Sequence, residues 1–93
     1  MDNKYKILII TTKGCEACSI LRDNVKQAIG AHSLDIELEV KDRSECDKKW
    51  LTTNRVHDFP AIFLIQNDII RYKYIGSMPP IVILRWCDIY FNK

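Results

Sequence analysis

The sequence predicts a single α/β domain whose elements follow the order β-α-β-α-β-β-α. Two continuously apolar runs, residues 7–10 and 61–65, predict buried strands because both of their faces are apolar. From Cys18 to Ile29, apolar residues recur at three- and four-residue steps, which predicts an amphipathic helix. A chain of 93 residues is long enough for one domain, so we expect residues 1–93 to form a single unit.

The first half of the chain predicts a strand–helix–strand unit. The strand over residues 5–11 is followed by the helix, for which Gly30 supplies a stop. Residues 34–40 alternate between apolar and acidic side chains, as expected of a half-exposed strand at a sheet edge. Crossovers of this kind are almost always right-handed and join parallel strands. Ser44, with Asp47 three residues later, predicts a capping box that opens a short helix through about Asn54.

The second half predicts a hairpin followed by a last helix. Asn67 and Asp68 predict a tight turn after the 61–65 strand, and residues 69–75 return as a strand. Ser77 is a candidate cap for the last helix, with two prolines in its first turn where their missing N–H groups do no harm. We expect Ile70, Tyr72 and Tyr74 on one face of the returning strand, and Ile83, Trp86, Cys87 and Tyr90 on the apolar face of the helix.

The charge, apolar runs and cysteine count of the chain exclude some classes of function and favour others. A net charge of +2 with scattered lysines is too small for a nucleic-acid or anionic-membrane surface. The sequence predicts neither a secretory signal nor an apolar run long enough to span a bilayer. Four cysteines in such a chain favour redox or metal chemistry over a disulfide framework. We therefore expect a cytoplasmic, monomeric protein that binds neither nucleic acid nor membrane.

The motif Cys15-Glu16-Ala17-Cys18 lies between the first strand and the first helix. A thiol at the start of a helix faces unpaired backbone N–H groups and the positive end of the helix dipole, and both stabilise a thiolate. The thiolate is the form that attacks disulfides. A second thiol one turn away can close a disulfide and expel the molecule that the first thiol attacked. Because Cys18 lies on the apolar stripe, the motif predicts Cys15 as nucleophile and Cys18 as resolving thiol.

This motif, the element order and Phe59-Pro60 just before the third strand together resemble the thioredoxin/glutaredoxin superfamily over essentially the whole chain. The resemblance implies a thioredoxin-like fold with a four-stranded mixed sheet and three helices. It also implies a cis bond before Pro60, beside the reactive thiol. The backbone of Asp58 and Phe59 would then pair with an extended substrate chain.

The resemblance also implies where glutathione would bind. Glutaredoxins carry a lysine shortly before the cysteine pair, for which Lys13 is the candidate. They also carry a late Gly-Gly followed by an acid, of which this sequence has only Gly76. The implied substrate-binding residues are Lys13, Asp58, Phe59, Pro60 and Gly76. The incomplete late motif predicts weak glutathione binding and a preference for protein disulfides.

The predicted function is that of a dithiol–disulfide oxidoreductase, acting on disulfides in proteins or on glutathione mixed disulfides. It requires no bound cofactor, and glutathione is a candidate reductant. The alternative is a redox-inert interaction module that keeps the same fold to bind a partner. Thiol titration with and without a mild oxidant distinguishes the two.

The other cysteines and histidines have simpler interpretations. Free cysteine is among the most buried residue types, so Cys46 and Cys87 are expected to pack. A structural zinc site commonly contains two closely spaced ligand pairs, and this sequence has one, so no metal site is predicted. His32 and His57 are expected at the surface or in loops. Phe59 is either a core residue or an apolar contact for a substrate, and the sequence does not decide between them.

Overall fold

The computed structural model describes residues 3–93 and confirms the predicted order of elements. One mixed sheet of four strands has the order β2-β1-β3-β4. Within the described range, no helix is long and apolar enough to cross a lipid bilayer. The elements are β1 (Tyr5–Thr11), α1 (Glu16–Ala31), β2 (Ile36–Asp42), a 3₁₀ turn (Arg43–Glu45), α2 (Lys48–Thr53), β3 (Ala61–Gln66), β4 (Ile69–Ile75) and α3 (Pro80–Tyr90).

Strand β1 is buried on both faces. It pairs in parallel with β2 and antiparallel with β3. Ile7 and Ile9 point into the larger core cluster, and Leu8 and Ile10 point into a smaller cluster on the opposite face. This alternation explains why residues 7–10 are apolar without a break, since successive side chains face opposite layers and neither layer is solvent.

The larger cluster lies between the sheet and helices α1 and α3. Leu21 and Val25 of α1 and Ile83 of α3 are fully buried there. Tyr72 of β4 stacks on Tyr90 of α3, with ring centroids 4.2 Å apart. The smaller cluster forms on the other face, where α2 is the main cover. The other aromatic pairs are Tyr5 with Phe91, Trp50 with Phe63, and Trp86 with Tyr72 and Tyr74. These aromatic side chains pack against one another, as the sequence predicts.

The end of α1 differs from the prediction. Gly30 lies inside the helix, which continues to Ala31 and has His32 at its C-cap. His32 lies in the loop after α1, one of the two predicted locations, but its side chain is only 4% exposed. Its Nδ1 accepts a hydrogen bond from the Leu34 N–H at 3.0 Å, which leaves Nε2 to donate to Asp88 at 2.9 Å. The hydrogen bond from His32 lowers the pKa of the Asp88 carboxyl. The C-cap of α1 is therefore His32, which is hydrogen-bonded to α3, and not the glycine that the sequence predicts.

The turn after β2 is capped by a different residue from the one predicted. Strand β2 begins at Ile36, two residues later than expected, and continues to Asp42 at the sheet edge. Asp42, not Ser44, is the N-cap of a capping box whose partner is Glu45. Ser44 donates to the Asp42 carboxylate through its backbone N–H and its hydroxyl. Asp47 then caps α2 directly by accepting from the Lys49 N–H.

The start of α3 also differs from the prediction. The helix begins at Pro80, its N-cap is Pro79, and no side chain makes a capping hydrogen bond. Ser77 therefore does not cap it. A proline in the first helical turn removes an N–H group that would otherwise need a partner, which reduces the need for a cap.

The hairpin turn is confirmed, but the register of β4 contains an irregularity. Asn67 and Asp68 both have positive φ, as the two-residue turns that join twisted strands require. The register of β3 against β4 shifts between Leu64 and Ile65. The shift pairs Ile70 with Ile65, outside the larger cluster, and Ile70 is 38% exposed. The prediction that Ile70 shares a face with the two tyrosines of β4 is therefore wrong.

A buried glutamine fastens the C-terminal segment to the sheet. Gln66 donates from Nε2 to the Asn92 carbonyl at 2.9 Å and accepts from the Asn92 N–H at 2.8 Å. The Tyr5 hydroxyl donates to the same carbonyl at 2.7 Å. These polar groups lie at the end of the sheet opposite the cysteines. Their hydrogen bonds therefore stabilise the fold and make no contact with the cysteine site.

We expect Gln66→Ala to lower the free energy of unfolding by about 2 kcal/mol, because it leaves the Asn92 N–H without its partner and removes one of the two donors to the Asn92 carbonyl. Gln27→Ala, at an exposed position of α1, is the matched control and should change stability by less than about 0.5 kcal/mol. Urea denaturation followed by circular dichroism measures both. Equal losses for the two variants would contradict the role of Gln66.

Candidate functional site

The loop between β1 and α1 positions two cysteines at the start of the helix. Gly14 has φ +68°, a left-handed conformation that glycine adopts without strain. This turn leads into Cys15, which is extended and forms the N-cap of α1. The Cys15 Sγ accepts a hydrogen bond from the Cys18 N–H at 3.1 Å. Cys15 thus occupies the position normally held by serine, threonine, asparagine or aspartate.

Cys15 and Cys18 form a disulfide, with Cα atoms 5.2 Å apart. Their environments differ, as the sequence predicts. Cys18 is 4% exposed and lies on the buried face of α1, whereas Cys15 is half-buried at its end. A molecule that arrives from solvent therefore meets the sulfur of Cys15 first.

An open depression of about 490 Å³ lies beside the disulfide. Its walls come from the end of β1, the first turns of α1 and the edge strand β2. Arg22 of α1 and Val40 of β2 both line it together with the two cysteines. The depression opens to solvent beside the disulfide, on the side of β2.

Several predicted site residues meet at one end of the sheet. The bond between Phe59 and Pro60 is cis, as the resemblance implies. Pro60 immediately precedes Ala61, which pairs with Ile10 of β1, so Pro60 lies at the end of the sheet from which the cysteine loop leaves. The Pro60 carbonyl accepts from the Gly76 N–H at 2.8 Å, which brings Gly76 to the same end.

The other proposed substrate-binding residues surround this end of the sheet. Lys13 is exposed and contributes, after the Ser44 hydrogen bonds, to the lowering of the Asp42 pKa, so the two charges lie near one another. Asp58 is exposed. Phe59 is half-buried, and it packs against the smaller core cluster. The core interpretation of Phe59 is therefore supported, and its remaining surface faces Arg43, whose Cζ lies 6.0 Å from the ring centroid.

The remaining two cysteines are in environments that favour the neutral thiol. Burial raises the pKa of Cys87 to about 11, in agreement with its predicted packing role. Burial also raises the pKa of Cys46, which is half-buried and donates its S–H to the Asp42 carbonyl at 3.6 Å. Among residues 3–93, no group of three or more histidine, cysteine or acidic side chains could hold a metal ion.

Sequence patterns did not indicate that Arg22 lines the depression beside the disulfide or that Arg43 lies over the Phe59 ring. Arg43 follows the end of β2 in the 3₁₀ turn, and only the register of β2 against β1 brings it to the cysteine end of the sheet. Arg22 lies four residues after Cys18 on α1, so helical spacing could have placed it on the same side as that cysteine.

We expect iodoacetamide to modify the reduced protein first at Cys15, then at Cys46, and last at Cys87. A rise of the Cys87 pKa from 9.0 to about 11 lowers its thiolate fraction at neutral pH about 100-fold. Mass spectrometry of peptides after timed alkylation gives the order, and the urea-unfolded protein is the control in which all four thiols should react alike. Modification of Cys18 before Cys15 would contradict the site geometry.

No protein-family model matches this sequence, and no curated protein sequence matches it. Solved structures do resemble it in fold. A thioredoxin-2 described as a component of malaria parasite protein secretion machinery superposes with a TM-score of 0.79 at 17% identity, covering 96% of this chain and 85% of that one. Chloroplastic thioredoxin z gives 0.72 at 17% identity, covering 94% and 78%.

A mutant thioredoxin from Halobacterium salinarum NRC-1 gives a TM-score of 0.78 at 15% identity, covering 98% of this chain and 78% of that one. Such low identities establish the shape of the backbone and not the chemistry. The expected fold class is confirmed: the chain adopts the thioredoxin fold over nearly its whole length, with Cys15 and Cys18 between its first strand and first helix.

Proposed function

We propose that this protein is a dithiol–disulfide oxidoreductase in which Cys15 is the nucleophile and Cys18 is the resolving thiol. The hydrogen bond from the Cys18 N–H to the Cys15 sulfur supports this most directly. In the reduced protein the same N–H and the helix dipole would stabilise negative charge on that sulfur. Cys18 is buried one turn away, within disulfide distance and shielded from competing reactants.

The reaction transfers two electrons from the protein to the substrate. The Cys15 thiolate attacks one sulfur of the substrate disulfide, forms a mixed disulfide and releases the other substrate sulfur as a thiolate, which takes up a proton. Cys18 loses its proton and attacks the Cys15 sulfur. The bond from Cys15 to the substrate breaks, the second substrate thiol leaves, and the Cys15–Cys18 disulfide remains. An external thiol, with glutathione as a candidate, returns this disulfide to the dithiol.

Protein disulfides are the proposed preferred substrates. The backbone of Asp58 and Phe59 makes no hydrogen bond to the rest of residues 3–93, so its polar groups are free to pair with an extended substrate segment. Gly76, joined to Pro60, would border that segment. Gly76 has φ +122°, a conformation that residues with a side chain rarely adopt. No side chain therefore projects from this position toward the substrate segment. A reducing compartment, the cytoplasm, suits a catalyst that must be returned to its dithiol form.

We expect Cys15→Ser to reduce turnover of a protein disulfide to the rate measured without protein. Cys18→Ser should still attack but accumulate a mixed disulfide, because the second displacement is lost. The measurements are insulin turbidity and intact-mass spectrometry, and Cys46→Ala is the control that should keep full activity. If the wild-type thiols do not cycle between dithiol and disulfide, the chain is a redox-inert module with this fold.

A second comparison tests substrate preference. At equal supply of reductant, we expect faster reduction of an intramolecular protein disulfide than of a glutathionylated peptide. Lys13→Gln should slow only the second reaction, by about two- to fivefold, since an exposed charge contact contributes at most about 1 kcal/mol. Lys26→Gln, on α1 away from the cysteines, is the matched control. Faster turnover of the glutathionylated peptide would show that glutathione recognition survives with a single late glycine.

A further inference from the structure

A second groove, of about 570 Å³, lies on the α2 side of the sheet and carries only positive or neutral side chains. Arg43, Lys48 and His57 line its rim. Leu51 and Phe59 supply apolar surface, and Phe59 packs against the smaller core cluster. The walls come from the 3₁₀ turn, from α2 and from the segment before β3, so three parts of the chain meet to form this groove.

Within the described part of the chain, the two strong cations of this groove make no close ion pair. Among residues 3–93, no carboxylate lies within 4.0 Å of the side-chain nitrogens of Arg43 or Lys48. The acidic residues that directly precede these two cations have other hydrogen-bond partners: the Asp42 carboxylate accepts from Ser44, and the Asp47 carboxylate accepts from the Lys49 N–H. Four other depressions on the surface of residues 3–93 are each lined by at least one carboxylate. The cationic groove is therefore complementary to a ligand with negative charge.

The groove adjoins the cysteine end of the sheet. Arg43 follows Asp42, the residue of β2 that pairs with Thr11 at the end of β1. Phe59, on another wall, immediately precedes Pro60. A polypeptide that pairs with the backbone before Pro60 would therefore lie next to the Phe59 wall of the groove.

We propose that this groove receives an acidic side chain that flanks the reacting cysteine of a protein substrate. The inference rests on the proposed function and adds the class of substrate. Arg43 is the main recognition residue, with Lys48 beside it. The guanidinium of Arg43 lies over the face of Phe59, an arrangement that limits its motion and leaves its N–H groups free for a carboxylate. The apolar wall of Leu51 and Phe59 would cover the methylene groups of an aspartate or glutamate side chain.

The test uses three peptides with the same intramolecular disulfide, whose flanking residue is glutamate, glutamine or lysine. We expect kcat/KM at low salt to fall in that order, with glutamate about five- to twentyfold above lysine. At 0.5 M salt the ratio should fall below about threefold, because exposed charges are screened. A ratio near one at low salt would overturn the proposal.

Matched variants assign the effect to the groove. Arg43→Gln should lower kcat/KM for the glutamate peptide about threefold, and Arg43→Gln with Lys48→Gln about tenfold, with the glutamine peptide nearly unchanged. Lys26→Gln changes net charge by one unit as Arg43→Gln does, but lies on α1 outside the groove, and should change no rate. An equal loss in Lys26→Gln would overturn the proposal in favour of a general effect of net charge.

A neutral small disulfide, 2-hydroxyethyl disulfide, separates this inference from the proposed function. It carries no charge and no flanking residue, so its reduction by the wild type reports the cysteine chemistry alone. If the wild type fails to reduce it or any peptide, the proposed function is wrong. If the wild type reduces it but shows no preference among the peptides, only the acidic-substrate inference is wrong.

Discussion

The burial of β1 on both faces is the constraint on which the rest of this structure depends. Ile7 and Ile9 require a layer on one face, which α1 and α3 supply, and Leu8 and Ile10 require a layer on the other. A strand in this position must also pair along both of its edges, because unpaired backbone groups would otherwise be buried. Strands β2 and β3 meet that need. Strand β1 is thereby paired on both edges and covered on both faces, and the cysteine loop leaves from its end.

The position of the loop has chemical consequences. Cys18 lies on the buried face of α1 with Leu21 and Val25, so one cysteine is buried, whereas the other is half-buried at the end of the helix. The difference in exposure between the two thiols is therefore a result of packing and not of their own chemistry. This difference is the basis of the separate roles proposed for them, attack from the more accessible sulfur and resolution from the buried one. The absence of a carboxylate from residues 5–12 means that β1 itself supplies no acid to receive the proton of Cys18.

Charge is distributed unevenly around the cysteine end of the sheet. On the side of β2 and α1, the depression beside the disulfide combines Glu16 with Arg22. On the side of α2, the groove under Arg43 contains cations and no carboxylate. The net charge of +2 hides this difference, because the acidic residues elsewhere balance most of the basic ones. Local arrangement, rather than total charge, is what a substrate would recognise.

The amino-acid sequence by itself determined the order of elements, the buried strands and the burial of Cys18, and the family resemblance implied the cis bond before Pro60. These features follow from local patterns: unbroken apolar runs, three- and four-residue spacing, and a motif placed between a strand and a helix.

Only the tertiary structure decided where α1 ends, since His32 is hydrogen-bonded to Asp88 on α3, far away along the chain. The same holds for Ile70, whose face depends on a register shift against β3. It also holds for the groove, because Arg43 and Phe59 come from separate segments that meet only when β1 pairs with its neighbours. Interactions between distant segments have no local pattern, so no window of sequence could have revealed them.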